Sequence, residues 1–487
     1  MQLEEKKILF LTLFFFFISF GVRLSLMELR PLHHDEGVNG YFISNIVEGR
    51  GWKYDPENYH GPTFFYITAV SFLAFGGNIF ALRIVPVIFG CLLVLVPFLL
   101  RKRLGFWGVL TSTFFLAFSP ALLYYSMDAI HEILFTFFMT ASLVLFLEFA
   151  SEKKPWMLFG GSACLAMFLA TKEAAFIIGP FIVILAIFFS FAKEKKTENK
   201  LEGKKIAFLI EFLVAIAIFF SIYIPLFTSF FQNWNGLEDS VKTLGLWGPR
   251  VIVEKGHDKP FPYYSGLLLF SELPLLVAGI AGMLLAFWKR NVYFCVIGVF
   301  FIAMFLGVSA VPYKTPWIAI NFLPPLALLS GFTAREFFGV KTGLSRQAGL
   351  LVLGVVFALV LWQSYYVNVV APAAERSEEN PWVYVQTTMS AKKAFERALA
   401  ADGKILIALE NESTWPMPWL LREKKVEYHG RDSLESAEFL HGFEVLIVHR
   451  NLGEIVVGKI PEYERFGFDL RPGVPLDAFF AQKKQNP

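Results

Sequence analysis

Four ionisable residues, His33-His34-Asp35-Glu36, follow the hydrophobic segment Ile8 to Met27 after a gap of five positions. Desolvating such groups at the mouth of a membrane helix is costly, so they mark sites of chemistry more often than chance would place them. A carboxylate there can take a proton, and an imidazole can bind a metal ion. Groups of the same kinds recur downstream as Asp55, Glu57, His60, Asp128, His131, Glu132, Lys172, Glu173, His257, Asp258, Lys259 and Lys314. The lysines among them suit an anionic partner.

Composition decides what must position these groups. The chain has 487 residues, 55% hydrophobic, 17% aromatic and 17% charged, with a mean hydropathy of +0.53. A soluble chain would carry about a quarter charged residues. The 56 phenylalanines, in runs such as Phe14 to Phe17, suit lipid-facing helices. The net charge of +3 is small and its basic residues are spread through loops, which argues against a nucleic-acid partner. Cys91, Cys164 and Cys295 fall in separate apolar segments and read as small buried residues.

Apolar length predicts a polytopic α-helical membrane protein with about eleven transmembrane helices, near 8–27, 80–100, 105–124, 132–149, 156–171, 174–192, 206–228, 264–287, 292–309, 315–333 and 347–367. Lys and Arg collect in alternate loops: Lys6-Lys7, Arg101-Lys102-Arg103, Lys153-Lys154, Lys193 to Lys205, Lys289-Arg290 and Arg335 to Arg346. Positive charge stays inside, so the N-terminus is expected in the cytoplasm and the C-terminal tail outside a plasma or inner membrane. No small-x-small site follows the first segment, which makes it an anchor rather than a cleaved signal. Residues 63–77 are too short to cross and are expected as an interfacial helix within an outer loop spanning 28–79; a second long outer loop covers 229–263. All the candidate groups then share the outer side, and the inner loops hold no histidine.

After Tyr366 the composition turns mixed and polar. Lys404 to Leu409 and Phe443 to Val448 read as short strands, and Ser390 to Ala401 has helical periodicity. The expected division is therefore a membrane module, 1–367, and a small extracytoplasmic α/β domain, 368–487. Asn411-Glu412-Ser413 matches an N-glycosylation sequon.

The order of motifs resembles a known family. Asp35-Glu36-Gly37 lies in the first outer loop, His60-Gly61-Pro62 leads the interfacial helix, and Ala81-Leu82-Arg83-Ile84-Val85-Pro86 opens the second span. Thr171-Lys172-Glu173, Tyr313-Lys-Thr-Pro-Trp317 and Trp415-Pro-Met-Pro-Trp-Leu-Leu-Arg422 follow in order. Together they resemble the GT-C glycosyltransferases that use polyprenyl-phosphate sugars, such as protein O-mannosyltransferases and the aminoarabinose transferases of lipid A. The resemblance is nearest to a prokaryotic branch labelled flippase-activity-associated membrane proteins. Two departures stand out. His60-Gly61-Pro62 replaces His-Pro-Pro or Lys-Pro-Pro, and Ser126 is followed by Met127 rather than the Arg often found there, with His131 as a substitute.

The resemblance implies transfer of a sugar from a polyprenyl-phosphate donor to a lipid, glycan or protein acceptor among membrane lipids. Such transfer needs a base for the acceptor proton, and the resembling enzymes place an Asp at the position of Asp35; Glu36 is the second choice. The structural alternative, compatible with that role, is that Asp35 caps a short helix beginning at Glu36. Lys172 and Lys314, at span ends, would stabilise the leaving phosphate, although a snorkelling lysine at a helix end looks the same. Arg83, His60, His131, Glu132 and His257 are the further donor and substrate contacts. A divalent metal, Zn or Mn/Mg, would draw on His34 and His257, without any His-x-x-x-His spacing to support it. The aromatic stretch 247–264, with Trp247, suits either sugar stacking or an interfacial belt, and Trp415 to Arg422 suits either a glycan contact or domain packing. A lipid-linked-sugar flippase and a non-catalytic assembly subunit are the alternatives. The first of these would place charge in mid-span, and here charge sits at span ends.

Overall fold

The computed structural model describes residues 3–57, 60–194, 202–253, 257–339, 343–371, 379–409 and 414–482. The sequon Asn411-Glu412-Ser413 and part of the Lys193 to Lys205 loop lie outside them.

Helices dominate as far as Tyr365. In chain order they are α1 (Leu3–Leu26), α2 (His34–Val47), α3 (Thr63–Phe75), α4 (Ile79–Leu99), α5 (Arg101–Phe118), α6 (Pro120–Tyr125), α7 (Glu132–Glu152) and α8 (Pro155–Leu169). There follow α9 (Ala175–Glu194), α10 (Glu202–Phe227), α11 (Asn235–Val253), α12 (Tyr263–Ser271), α13 (Leu273–Trp288), α14 (Val292–Ala310), α15 (Leu323–Phe338) and α16 (Gly343–Tyr365). Local chemistry sets several of these ends. Asn78 accepts the Ala81 N–H to cap α4, Ser119 accepts the Leu122 N–H to cap α6, and Lys153 closes α7 in the left-handed conformation.

Every apolar stretch expected to span is helical. Among the described residues eight helices are long and apolar enough to cross a membrane, and a ninth crossing results if α12 and α13, bent by 110° at Glu272, count as one. The chain is a multi-pass membrane protein. The expected count of eleven falls short at two helices. α5 opens on Arg101-Lys102-Arg103 and is broken at Gly105, where φ is 60°, and its apolar stretch stops at Ser119. α8 has 15 residues, about 22 Å of helix against a hydrocarbon core of about 30 Å. α3, with 13 residues, is shorter still.

Two compact units emerge. One is Met1–Met27 with Asn45–Val370; the other is Glu28–Ser44 with Ala371–Pro487. The segment Glu28–Ser44, expected as part of the membrane module's outer loop, thus belongs with the C-terminal domain. In the first unit α15 packs between α5 and α13, and α7 against α4, α8 and α9. Its basic connections gather at one end: Arg101 pairs with Glu5 at 3.3 Å, Lys102 with Glu152 at 2.8 Å, and Arg103 with Glu148. The Arg103 guanidinium also lies 4.1 Å over the Tyr293 ring, beside the α13–α14 connection where Lys289 meets Glu336.

The second unit is built on a five-stranded sheet of β1 (Ile405–Ala408), β2 (Val426–Tyr428), β3 (Val445–His449), β4 (Glu464–Asp469) and β5 (Pro475–Phe480), in the order β2-β1-β3-β5-β4. β1 runs parallel to β2 and β3, whereas β5 is antiparallel to β3 and β4. Alternate residues feed two cores, as a period-2 strand must. Ile405, Ile407, Val445 and Ile447 pack on α17 (Met389–Ala400), and Leu406, Ala408, Leu446 and Val448 pack on Leu440, Leu452 and Val456. The central pair β1 and β3 coincides with the two apolar runs expected from sequence. The flanking strands were missed because β2 is three residues long and β4 (ERFGFD) is largely polar, as edge strands usually are.

Candidate functional site

In the first unit two adjacent residue pairs meet, His131-Glu132 at the start of α7 and Lys172-Glu173 after α8. The Lys172 ammonium donates to Glu132 Oε2 at 2.8 Å, with both side chains largely buried. Glu132 Oε1 accepts from Asn321 Nδ2 at 3.3 Å, and Asn321 Oδ1 accepts from Thr136 Oγ1 at 2.6 Å. Next to Lys172, Glu173 Oε2 lies 2.8 Å from His60 Nδ1. Glu173 is 7% exposed, and its Oε1 has no hydrogen-bond partner among the described residues.

The backbone explains how His60 arrives there. Gly61 N–H donates to Thr171 O at 3.2 Å and Thr63 N–H to Ala170 O at 2.9 Å, which lays the His60-Gly61-Pro62 stretch along the turn after α8. A Cβ on Gly61 would collide with the Ala170 carbonyl. The first proline position of the resembling motif is therefore closed to any side chain in this protein. The His60 ring then sits 5.0 Å from the His131 ring and 5.5 Å from Trp247, whose Nε1 donates to Pro56 O at 2.9 Å. The second departure also has a structural counterpart: Arg23, from α1, donates through Nε to Ser126 Oγ at 2.7 Å.

Not every expected contact joins this cluster in a way that leaves it open. Arg83 is fully buried and donates to the Met27 carbonyl, tying α4 to the end of α1. Lys314 is 1% exposed and gives its ammonium protons to the carbonyls of Lys259, at 3.0 Å, and Val311. Its backbone N–H donates to His257 O at 3.0 Å, and the His257 ring lies 4.7 Å from Tyr313. Burial lowers the Lys314 pKa, with the Asp258 charge opposing. Lys314 is thus first a clamp on the 257–259 segment. Nearby in sequence, an open cleft of about 760 Å³ is lined by Tyr54, Asp55, Glu57, Asp239, Lys242 and Leu246. Lys242 is already paired with Glu238 at 2.8 Å, so three carboxylates against one engaged lysine make this cleft hostile to a phosphate.

The second unit carries the His33 to Glu36 stretch. Asp35 does not cap a helix that starts at Glu36. It stands in the first turn of α2, its side chain 45% exposed, and its N–H donates to His33 Nδ1 at 3.0 Å. Glu36 is buried and reaches back to accept the His33 N–H at 2.8 Å, which satisfies an orphan donor of the helix start. His34 Nδ1 lies 3.0 Å from Asp35 Oδ1, and His33 Nε2 lies 2.6 Å from Tyr384 O. Burial raises the Tyr384 phenol pKa, and the Asp35 charge adds to it. Among the described residues no three His, Cys, Asp or Glu side chains converge so as to hold a metal ion. The expected ligands His34 and His257 belong to different units, where His34 Nδ1 lies 3.0 Å from Asp35 Oδ1 and the His257 ring 4.7 Å from that of Tyr313, and no step is assigned to a metal.

Asn321, Thr136 and Glu173 were missed or left without a role by the sequence reading. A lone Asn within an apolar span, shortly after Tyr313-Lys-Thr-Pro-Trp317, was the available signal for the first.

Comparison with known proteins bears on the fold as a whole. Over 98% of this chain and 99% of theirs, the structure superposes on ArnT from Cupriavidus metallidurans bound to undecaprenyl phosphate, with a TM-score of 0.66 and 12% identity. The fold is GT-C. The apo form of that ArnT gives a TM-score of 0.61 at 14% identity, over 97% and 99% of the two chains. Residues 52–237 match the family model of dolichyl-phosphate-mannose-protein mannosyltransferases, a stretch that holds His60, Arg83, His131, Glu132 and Lys172 but neither Asp35 nor Lys314. No curated protein shows a significant sequence match to the chain.

Proposed function

We propose that the protein is a polyprenyl-phosphate-sugar-dependent glycosyltransferase acting on the extracytoplasmic side of its membrane. The observation that carries the reading is the crossing of His131-Glu132 with Lys172-Glu173, a buried ionic cluster inside the stretch that matches mannosyltransferases. The GT-C fold, shared with a protein that binds undecaprenyl phosphate, supports the donor class. Ions are costly to bury, and a fold without need of them would have used apolar residues.

In the reaction so assigned, the acceptor hydroxyl attacks the sugar's anomeric carbon. Its oxygen–carbon bond forms as the carbon–oxygen bond to the donor phosphate breaks, and the hydroxyl proton passes to the Asp35 carboxylate. Asp35 is accessible in the first turn of its helix, whereas the Glu36 carboxylate is buried against the His33 N–H, which favours Asp35 as the base. The leaving group is a polyprenyl phosphate. Lys172 has three N–H donors and spends one on Glu132, which leaves two for phosphate oxygens. Lys314 keeps one N–H beyond the two carbonyls it serves, so its part is smaller and mainly electrostatic. Basic residues gathered at the opposite end of the first unit support an outer location for this chemistry.

The test uses full-length protein in membranes with labelled polyprenyl-phosphate mannose and polyprenyl-phosphate aminoarabinose. Released polyprenyl phosphate is measured, and products are identified by mass. Asp35→Asn should lower turnover by about 10²-fold or more with membrane insertion unchanged. Near-normal turnover in that variant would remove Asp35 from the role of base. Sidedness is read separately, with Cys91, Cys164 and Cys295 replaced and Glu396→Cys introduced on the exposed face of α17. Labelling from outside intact cells is expected; labelling only after permeabilisation would invert the topology.

A further inference from the structure

The Trp415-Pro-Met-Pro-Trp419 motif has no part in the transfer chemistry above, and in the fold it seats the helix that carries Asp35. We infer that Pro416 and Trp419 are positioning residues, which set the Asp35 carboxylate through Gly37 and Gly40 of α2. The inference rests on the transferase reading and names how its base is held.

A Cβ added at Gly37 would lie 2.5 Å from Pro416 Cβ and 2.6 Å from Pro416 Cα. At Gly40 it would lie 2.5 Å from Trp419 Cε2, 2.6 Å from Cδ2 and 2.9 Å from Nε1. Neither position has room for any other residue. The spacing places both glycines on one helix face, together with the two next contacts along it. Trp419 Nε1 donates to Ser44 Oγ at 3.2 Å, and the Trp415 and Tyr41 rings meet edge-on at 5.6 Å. The motif therefore follows a single stripe from Gly37 to Ser44.

The approach to α2 is fixed by the same domain. Thr387 Oγ1 donates to Leu32 O and Gln386 Nε2 to Pro31 O, both at 2.5 Å, and His33 pairs with Gln386 as an antiparallel bridge. Asp35 lies between this bridge and the Gly37 contact. A helix of 14 residues is marginal alone, so its axis is dictated by whatever it packs on. Trp419 is 1% exposed and Met417 fully buried, which withdraws this part of the motif from glycan stacking. The notable consequence is catalytic, since a shift of about 1 Å in a reacting group can cost about 10²-fold in rate.

Gly40→Ala, Trp419→Leu and their combination are compared in the full-length protein, with polyprenyl-phosphate mannose and polyprenyl-phosphate aminoarabinose as donor probes. Gly40→Ala should lower kcat by about tenfold or more while the donor KM stays within about twofold. Trp419→Leu makes space for the added methyl, so the double variant should recover part of the kcat lost by Gly40→Ala alone. Ser44→Ala, which adds no volume, should show the same kcat-specific loss at about threefold, and keeps the test open should Gly40→Ala fail to insert. Additive losses in the double variant, or an unchanged kcat in Gly40→Ala or Ser44→Ala, would overturn the positioning role. Wild-type protein that releases no polyprenyl phosphate from either probe would instead overturn the transferase reading.

Discussion

The two ends of the membrane unit handle charge in opposite ways. At the basic end most charges are partly solvent-accessible and pair close to the surface: Lys102 and Lys154 with Glu152, Arg101 with Glu5, Lys289 and Arg335 with Glu336. Such pairs contribute about 0–1 kcal/mol each, and their basic members lie at the end that the positive-inside rule expects in the cytoplasm. At the other end Glu132, Glu173, His131 and Lys314 are each less than a tenth exposed, and carboxylates accompany Lys172 closely. Burying ions costs several kcal/mol apiece before pairing returns any of it. The first arrangement serves insertion; the second makes sense where a charged ligand has to be met in a dry site.

Breaking the buried end should show the largest effect. Lys172→Ala removes the free phosphate donors and strands Glu132 without its cation, so donor affinity should fall about 10-fold to 10²-fold. Equilibrium binding of polyprenyl phosphate to the purified protein checks this, and unchanged affinity would return Lys172 to a structural ion pair. Lys172→Arg should fall between wild type and Ala, because a planar guanidinium approaches both Glu132 and a phosphate differently.

Glu132→Gln sharpens the contrast. The amide can still meet Asn321, while Lys172 loses its competing carboxylate and should bind phosphate at least as well as before. Thermal unfolding should show a lower Tm, since a charge-assisted bond of about 1.5–3 kcal/mol is replaced by a neutral one. Weaker donor binding in this variant would mean that Glu132 orients Lys172 rather than competes for it.

Lys314→Ala should act mostly on stability. Two bonds to part-buried carbonyls are lost, at no more than about 1–3 kcal/mol for each group left unsatisfied, and protease sensitivity near Asp258 should rise. Donor affinity should change less than in Lys172→Ala; the reverse order would make Lys314 the principal phosphate contact. Smallest of all, Lys102→Ala at the basic end should leave turnover unaltered and shift stability by under about 1 kcal/mol. A large loss of activity there would erase the distinction between the two ends.

Much of this molecule is legible along the chain, because some determinants are local. Hydropathy and length located the helical stretches, and the short apolar runs at Lys404 to Leu409 and Phe443 to Val448 located the central strands. Motif order pointed to GT-C, and of the residues expected on the outer side His60, His131, Glu132, Lys172 and Glu173 meet in one cluster. Where the reading failed, the missing information was non-local. The alternative of Asp35 as a cap supposed a helix from Glu36, yet the helix begins two residues earlier, at His34, and it is Glu36 that accepts the His33 N–H. Lys314 looked like Lys172 in sequence, both being cations at span ends. Only the fold shows one beside a carboxylate with donors to spare and the other buried against carbonyls.

By itself the sequence determined which segments are apolar and helical and which residue types could carry out transfer, since both follow from side-chain chemistry and from the 3.6-residue period of a helix. The tertiary structure decided the partners. Glu132 meets Lys172 across 40 positions, His60 meets Glu173 across 113, and Ser44 meets Trp419 across 375. No local pattern encodes such pairings. They depend on how whole helices pack, and at Gly61, Gly37 and Gly40 on the space that only a missing side chain leaves.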